Sequence, residues 1–86
     1  MTQEHKVIIY SKAHCPYCAK AKLLFADKEV KYEEIDITND SALRDIMIEK
    51  SGRTTVPQIF IDDKHIGGCD DLYELNATGE LNNLLN

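Results

Sequence analysis

Apolar residues in the first half of the chain fall into two patterns, one typical of strands and one typical of helices. The β-rich run at residues 6–11 is followed by a turn, which predicts a buried strand. The alternation over residues 32–36 predicts a second, shorter strand. Between them, a helix is predicted over residues 16–28, because four side chains recur at the spacing of one helix face. These four are Cys18, Ala21, Leu24 and Phe25.

A second helix is predicted to follow the second strand. Asp40 or Ser41 is suited to cap its N-terminus, and Gly52 is suited to end it after Lys50. The apolar side chains that we expect to turn toward the core are Leu43, Ile46 and Met47.

The second half of the chain predicts a pair of strands joined by a tight turn. Pro57 opens a strand at residues 58–61, and the pair Asp62-Asp63 leads directly into a strand at residues 64–66. So short a connection leaves no room for a helical crossover, and these strands must therefore pair antiparallel.

Two short helices are predicted after the glycine pair at 67–68, at about residues 70–76 and 79–85. The leucines available to cover the sheet are Leu72, Leu75, Leu81, Leu84 and Leu85. With this last helical part taken as one element, the order is β-α-β-α-β-β-α. A parallel strand pair joined by a right-handed helical crossover, followed by a hairpin, predicts an α/β fold with a four-stranded mixed sheet and helices on both faces.

Length and composition narrow the class of protein. Eighty-six residues predict a single domain over 1–86, and 43% hydrophobic with 29% charged residues is ordinary for a globular protein. No apolar run approaches the roughly 20 residues of a membrane span, and the N-terminus lacks a signal-peptide pattern. We therefore expect a cytoplasmic protein without membrane contact. A net charge of −5 argues against nucleic acid as a partner.

The chemistry that stands out is the run Cys-Pro-Tyr-Cys at 15–18, placed where the first strand turns into the first helix. Two thiols at that spacing predict a redox dithiol. An ordinary thiol is only a few per cent ionised at pH 7, but a helix N-terminus favours the thiolate through its N–H groups and its dipole. Pro16 suits the first helical turn, because its missing N–H is not needed there. Cys15 is thus predicted to be a nucleophile.

Cysteine usage supports a redox role over a structural one. Three cysteines, an odd number, do not suit a scaffold held by disulfides. In a reducing compartment a Cys-x-x-Cys pair is catalytic or metal-binding rather than structural. The dithiol also falls at the carboxyl end of the first strand, where open α/β sheets place their sites.

Three motifs in order resemble one family. These are Cys-Pro-Tyr-Cys at 15–18, Thr-Val-Pro at 55–57 and Gly-Gly-Cys-Asp-Asp at 67–71. Over residues 7–85 the chain resembles a glutaredoxin, and residues 51–62 are similar to the small bacterial dithiol glutaredoxins. Thioredoxin fits less well, since its dithiol is Cys-Gly-Pro-Cys after a Trp and this chain has no Trp. Monothiol glutaredoxins have Ser where this chain has Cys18.

The resemblance implies a thioredoxin fold and a glutathione-dependent thiol–disulfide oxidoreductase. It makes Cys15 the attacking thiol for both protein disulfides and protein–glutathione mixed disulfides. Cys18 is implied to resolve the first kind of substrate and to be dispensable for the second. Glutathione would serve as reductant and co-substrate and no metal is expected. The implied protein partners are disulfide-containing or glutathionylated clients of a monomer active in cell redox homeostasis.

The resemblance also implies a glutathione groove. The backbone of Val56, beside a cis proline, would pair with the cysteinyl part of the tripeptide, and Tyr17 would line the groove. The backbone of Cys69 and Asp70 and the carboxylate of Asp71 would hold the γ-glutamyl end. Lys12 and Arg53 are the candidates for the glycyl carboxylate. The whole implied set is Lys12, Tyr17, Arg53, Thr55, Val56, Pro57, Gly68, Cys69, Asp70 and Asp71.

Plainer interpretations stay open for these positions. Tyr17 is also compatible with an exposed turn aromatic, the acidic turn at 70–71 with a simple helix cap, and Arg53 with a solvated charge. Pro57 is equally suited to open a strand in the trans form, since cis X-Pro bonds are only about 5% of those in folded proteins. Cys69 has no catalytic role by the resemblance, and His5 and His65 receive no function.

Two alternatives from other classes remain at the level of sequence. A zinc site needs about four ligands, and beyond the dithiol only His14, His65 or Cys69 is available to complete one. An iron–sulfur cluster bridged between two chains by Cys15 and glutathione is made less favourable by the Pro after Cys15. The other alternative is a purely structural binding domain.

Overall fold

The computed structural model describes residues 4–85, so residues 1–3 and 86 of the predicted domain lie outside the described part. The elements in chain order are β1 (Val7–Ser11), α1 (Pro16–Asp27), β2 (Glu33–Asp36), α2 (Ser41–Ser51), β3 (Gln58–Ile61), β4 (Lys64–Gly67), α3 (Cys69–Thr78) and α4 (Glu80–Leu85). Within that part, no helix is long and apolar enough to cross a membrane.

The four strands form one mixed sheet in the order β2-β1-β3-β4. β1 runs parallel to β2 and antiparallel to β3, with Ile9 opposite Ile59 in the second pair. β3 and β4 pair antiparallel through the turn at Asp62 and Asp63, which both take positive φ values of 51° and 66°. The predicted mixed sheet and hairpin are confirmed.

Each face of the sheet carries its own apolar cluster, because successive strand residues point to opposite faces. Val7 and Ile9 of β1 pack with Phe25 of α1 and with side chains of α3 and α4. Ile8 and Tyr10 pack on the other face with Met47 of α2. Helices therefore cover both faces, as predicted, and the four helix-face residues of α1 are all buried.

One detail of the prediction is wrong. Ile46, expected to face the core, is 40% exposed, and Ile48 packs against the cluster beside Met47 instead. The face of α2 that packs against the sheet is therefore rotated relative to the predicted face of residues 43, 46 and 47. The two short helices predicted at the C-terminal end are confirmed, and Gly79, with a left-handed φ of 85°, ends α3 before α4 begins.

The topology brings three loops to one end of the sheet, where β1 terminates. β1 ends there before α1, and β3 begins there because it is antiparallel to β1. β4, antiparallel to β3, terminates at the same end of the sheet, directly before α3. The three sequence motifs occupy these three loops, so the fold itself gathers them.

Candidate active site

Cys15 is the N-cap residue of α1. Its backbone is extended (φ −106°, ψ 104°), and its Sγ accepts a hydrogen bond from the Cys18 backbone N–H at 3.2 Å. Pro16 follows in the first helical turn, as predicted. The sulfur thus lies at the positive end of the helix dipole and accepts one of the N–H groups that the first helical turn leaves without a backbone partner. Because Cys15 is only partly buried, a substrate sulfur can reach it.

Cys18 differs from Cys15 in burial and in protonation. It is 1% exposed, one turn into α1. Burial, with a further contribution from a hydrogen bond to Cys15, raises the pKa of the Cys18 thiol to about 12. Cys18 therefore stays protonated at neutral pH and does not compete as the first nucleophile. All three cysteines are free thiols.

An open cleft of about 220 Å³ lies between the three loops. The residues that line it are Tyr17, Arg53, Thr55, Val56, Pro57, Gly68, Cys69, Asp70 and Asp71. These are nine of the ten residues that the family resemblance assigned to glutathione. Tyr17, at the end of the cleft nearest the dithiol, is 60% exposed, which leaves its ring available to a ligand.

Lys12, the tenth residue, lies elsewhere. It lines a second groove of about 510 Å³, together with Cys15, Lys22 and Glu34. Lys22 Nζ and the buried Ser11 hydroxyl both contact Glu34 Oε2, at 2.9 and 2.5 Å. These two hydrogen bonds hold the pKa of Glu34 below its ordinary value. Cys15 lines this charged groove and is not among the residues that line the cleft, to which the dithiol segment contributes Tyr17.

The peptide bond between Val56 and Pro57 is cis, the isomer that the family resemblance implied. Both residues line the cleft, directly before β3. The Pro57 carbonyl oxygen lies 3.4 Å from the place that a Cβ on Gly68 would take. The Pro57 loop and the start of α3 are therefore neighbours, and a larger residue at 68 would narrow the space between them.

Asp71 is held by two partners within the protein. Its Oδ2 accepts the Gly68 backbone N–H at 2.9 Å and the Arg53 guanidinium at 2.8 Å. The hydrogen bond from Arg53, followed by the one from Gly68, lowers the pKa of Asp71. The two residues that the sequence assigned to opposite ends of glutathione thus form an ion pair, with side chains 48% and 41% exposed.

Gly67 is required by this arrangement. Its φ of +123° lies in a region that L residues rarely adopt, and a Cβ there would lie 2.3 Å from Asp71 Oδ2. The glycine therefore gives the Asp71 carboxylate its position beside the Gly68 N–H.

Two residues behind the cleft were missed by the sequence analysis. Gln58 is completely buried and donates from Nε2 to the Thr55 carbonyl at 3.0 Å and the Thr55 hydroxyl at 3.3 Å. His65, which received no function, contacts Gln58 Oε1 through Nε2 at 2.8 Å. A glutamine directly after a strand-opening proline, in an otherwise apolar strand, was the available signal.

The described residues, 4–85, contain no group of three or more His, Cys, Asp and Glu side chains placed to hold a metal ion. His14, His65 and Cys69, the additional zinc ligands that the sequence left open, do not form such a group with the dithiol.

Comparison with known proteins gives one family. A family model described as Glutaredoxin matches residues 7–66. The chain is 58% identical over 79 residues to glutaredoxin 3 of Escherichia coli strain K12, covering 92% of this chain and 95% of that one. It is 53% identical over 83 residues to glutaredoxin 1 of Rickettsia typhi, covering 94% and 80%.

Solved structures agree with this. The solution structure of a glutaredoxin from Brucella melitensis is 54% identical with a TM-score of 0.82, covering 93% of this chain and 87% of that one. The crystal structure of a buckwheat glutaredoxin–glutathione complex is 32% identical with a TM-score of 0.87, covering 96% and 78%. The predicted thioredoxin fold is confirmed by these neighbours.

Proposed function

Because this chain belongs to the glutaredoxin family and is a glutathione-dependent thiol–disulfide oxidoreductase, we propose that its two cysteines divide two routes between them. In the monothiol route Cys15 acts alone on protein–glutathione mixed disulfides. In the dithiol route Cys15 and Cys18 together reduce protein disulfides. The observation that carries the proposal is the contrast between Cys15, partly exposed at a helix N-terminus, and Cys18, buried with a raised pKa.

The first step is the same in both routes. The Cys15 sulfur attacks one sulfur of the substrate disulfide, a bond forms between them, and the other sulfur leaves with the electron pair of the broken bond. When the substrate is a glutathionylated protein, the protein thiol leaves and glutathione stays on Cys15. A thiolate at the helix N-terminus is both the attacking group here and a good leaving group in the next step.

The second step separates the routes. In the monothiol route a second glutathione thiolate attacks the glutathione sulfur on Cys15, which forms glutathione disulfide and returns the Cys15 thiolate. In the dithiol route Cys18 loses its proton and attacks Cys15, the Cys15–Cys18 disulfide forms, and the reduced client leaves with that proton. Two molecules of glutathione then reduce the internal disulfide and leave as glutathione disulfide.

The cleft suits the charges of the tripeptide. Glutathione carries two carboxylates and one ammonium group, and the cleft contains the ion pair of Asp71 with the cation Arg53, next to a second carboxylate, Asp70. We assign the ammonium to Asp71 and the γ-glutamyl carboxylate to the α3 N-terminus, at the backbone of Cys69 and Asp70. The glycyl carboxylate is assigned to Arg53. When the ligand binds, Asp71 and Arg53 thus exchange their ion pair with each other for ion pairs with the ligand.

Further contacts complete the placement. The cysteinyl backbone pairs with Val56 beside Pro57, as an added strand would. Tyr17 covers the sulfur end of the ligand, and Gly68 leaves room for its backbone. Lys12, which lines the groove that contains Cys15, remains the second candidate for the glycyl carboxylate.

The setting of this activity is also part of the proposal. Residues 1–86 are proposed to act as one domain, as a monomer, in the cytoplasm, on disulfide-containing or glutathionylated client proteins. Glutathione is the reductant in this setting. The net charge of −5 supports a protein that does not bind nucleic acid.

Asp71→Ala is expected to raise the KM for glutathione about tenfold with little change in kcat. The carboxylate is assigned to the ammonium at the end of the tripeptide remote from the reacting sulfur, so its loss weakens substrate and transition state alike. One charge-assisted hydrogen bond is worth about 1.5–3 kcal/mol, which is tenfold or more. Steady-state assays on a small glutathione mixed disulfide measure both constants.

Asp45→Ala, at an exposed position in α2, is the matched control and leaves both constants unchanged. An Asp71→Ala protein that is folded and keeps the wild-type KM would remove this carboxylate from the glutathione site.

A further inference from the structure

A series of hydrogen-bonded polar side chains runs from β4, the second strand of the hairpin, to the wall of the cleft. It begins at His65 in β4, passes through Gln58 in β3, and ends at Thr55 in the loop that lines the cleft. Gln58 is completely buried, and no buried side-chain nitrogen or oxygen of residues 4–85 is without a partner. A fully satisfied polar group in a core fixes geometry strictly, because any other orientation leaves an unpaired group at high cost.

The donors and acceptors of these hydrogen bonds can be assigned from one group whose role is fixed, the Thr55 carbonyl. The Thr55 carbonyl oxygen can only accept, so the Gln58 side-chain nitrogen must face it, and these two atoms lie 3.0 Å apart. The Gln58 oxygen then faces His65, and His65 Nε2 must therefore carry a hydrogen. A reversed amide would place two acceptors against each other at Thr55.

The same assignment sets the hydroxyl of Thr55. Gln58 Nε2 has a second hydrogen, which points to Thr55 Oγ1 at 3.3 Å. The hydroxyl thus accepts from inside the protein, and its own hydrogen is left to point away from Gln58. Since Thr55 lines the cleft, that hydrogen is available on the cleft side.

We propose that Gln58 and His65 are positioning residues that make the Thr55 hydroxyl a hydrogen-bond donor to an oxygen of the bound tripeptide. This inference rests on the proposed glutathione site and assigns two residues behind it. Neither Gln58 nor His65 touches the ligand; they act through Thr55. His65 itself is held by its ring contact with Phe60, its cross-strand partner, at 5.1 Å between centroids.

The charge state of His65 agrees with this role. Burial, and then the nearby Arg53 cation, lower the pKa of His65, while Asp71 acts in the opposite direction. A neutral imidazole has one hydrogen to place, and the Gln58 oxygen determines that it lies on Nε2.

The first test reads the assignment directly. Long-range nitrogen–proton NMR spectra of the labelled wild-type protein at pH 7.5 are expected to show neutral His65 with its hydrogen on Nε2. A hydrogen on Nδ1 would overturn the inference, whatever the protein binds.

The second test measures ligand binding without redox chemistry, by NMR titration with S-methylglutathione, which forms no disulfide. Thr55→Val is expected to weaken binding about tenfold, since one hydrogen bond is lost. Thr55→Ser, which keeps the hydroxyl, is expected to bind within about twofold of wild type. Thr54→Val is the matched control, because Thr54 carries the same side chain next in the chain but does not line the cleft. Wild-type affinity in Thr55→Val, or equal losses in Thr55→Val and Thr55→Ser, would overturn the inference.

A double-mutant cycle tests the link through Gln58. Gln58→Met keeps the length of the side chain and removes its amide, and we expect about fivefold weaker binding in the wild-type background. In the Thr55→Val background the same change is expected to cost less than about twofold, since the hydroxyl it orients is already gone. Equal losses in both backgrounds would contradict a role through Thr55. Should Gln58→Met not fold, the tautomer and the Thr55 series still decide the matter.

The outcomes separate this inference from the proposed function. If wild type does not bind S-methylglutathione, the proposed glutathione site is wrong. If wild type binds and the Thr55 series shows no difference, only the positioning role is wrong.

Discussion

Cys15→Ser is expected to abolish both the reduction of protein disulfides and the removal of glutathione from proteins, by at least about a thousandfold. A serine hydroxyl does not form a mixed disulfide, and Cys18 cannot substitute because it is buried and protonated. Cys18→Ser is expected to keep the removal of glutathione and to lose the reduction of protein disulfides. The reason is that a second glutathione can resolve the adduct on Cys15, whereas a client joined to Cys15 needs a neighbouring thiol.

The measurement is a pair of glutathione-coupled assays, one on a small glutathione mixed disulfide and one on a protein disulfide. Cys69→Ser is the matched control, because Cys69 is a buried thiol outside the dithiol and only its backbone is assigned to the ligand. This variant is expected to leave both rates within about twofold of wild type. Equal losses from Cys15→Ser and Cys18→Ser in the first assay would contradict the monothiol route.

Gly67→Ala is expected to destabilise the protein by about 2–4 kcal/mol and to weaken glutathione binding as well. A Cβ at this position would lie 2.3 Å from Asp71 Oδ2, and φ is +123°, where L residues are strained. Relief of that contact moves the Asp71 carboxylate away from the Gly68 N–H and from Arg53. In a domain of this size the loss lowers Tm by roughly 10–20 °C.

Gly52→Ala is the control for this change. Gly52 also has a positive φ, +72° in the left-handed region, but a Cβ there meets nothing within 4 Å. We expect it to cost about 1 kcal/mol and to leave glutathione binding unchanged. Thermal unfolding and the NMR titration with S-methylglutathione report the two quantities. If Gly67→Ala is no worse than Gly52→Ala in either, the close approach between Gly67 and Asp71 is not important.

The part of the site that could be predicted from sequence is the part determined locally. A cysteine followed by proline at the start of a helix specifies its own environment, and the structure has Cys15 as the N-cap with Pro16 in the first turn. The hairpin was predictable for the same reason, since two residues between strands leave one way to pair.

Contacts between separate elements were not predictable in this way. Arg53 and Asp71 lie 18 residues apart, and their pairing depends on how the loop after α2 approaches the start of α3. The contact of His65 with Gln58 depends on the hairpin register, which contains an irregularity between Ile59 and Phe60. The error at Ile46 is of the same kind, because apolar spacing predicts a helix face but not the rotation at which that face meets the sheet.

The position of Lys12 shows what a family motif leaves open. The motif gave Lys12 and Arg53 as candidates for one carboxylate, and in the structure Arg53 lines the cleft while Lys12 lines the groove that contains Cys15. A motif records which residues occur in order, and the direction of each side chain depends on the turn in which it lies.

The central claim is that Cys15 is the sulfur that receives glutathione. Its most direct test is to incubate the reduced Cys18→Ser protein with glutathione disulfide at neutral pH and to map the adduct by mass spectrometry of its peptides. The account predicts one glutathione per chain, located on Cys15, with Cys69 unmodified because it is buried and its pKa is raised. An adduct on Cys69, or a Cys15 that remains unmodified under conditions that modify an ordinary exposed thiol, would contradict it.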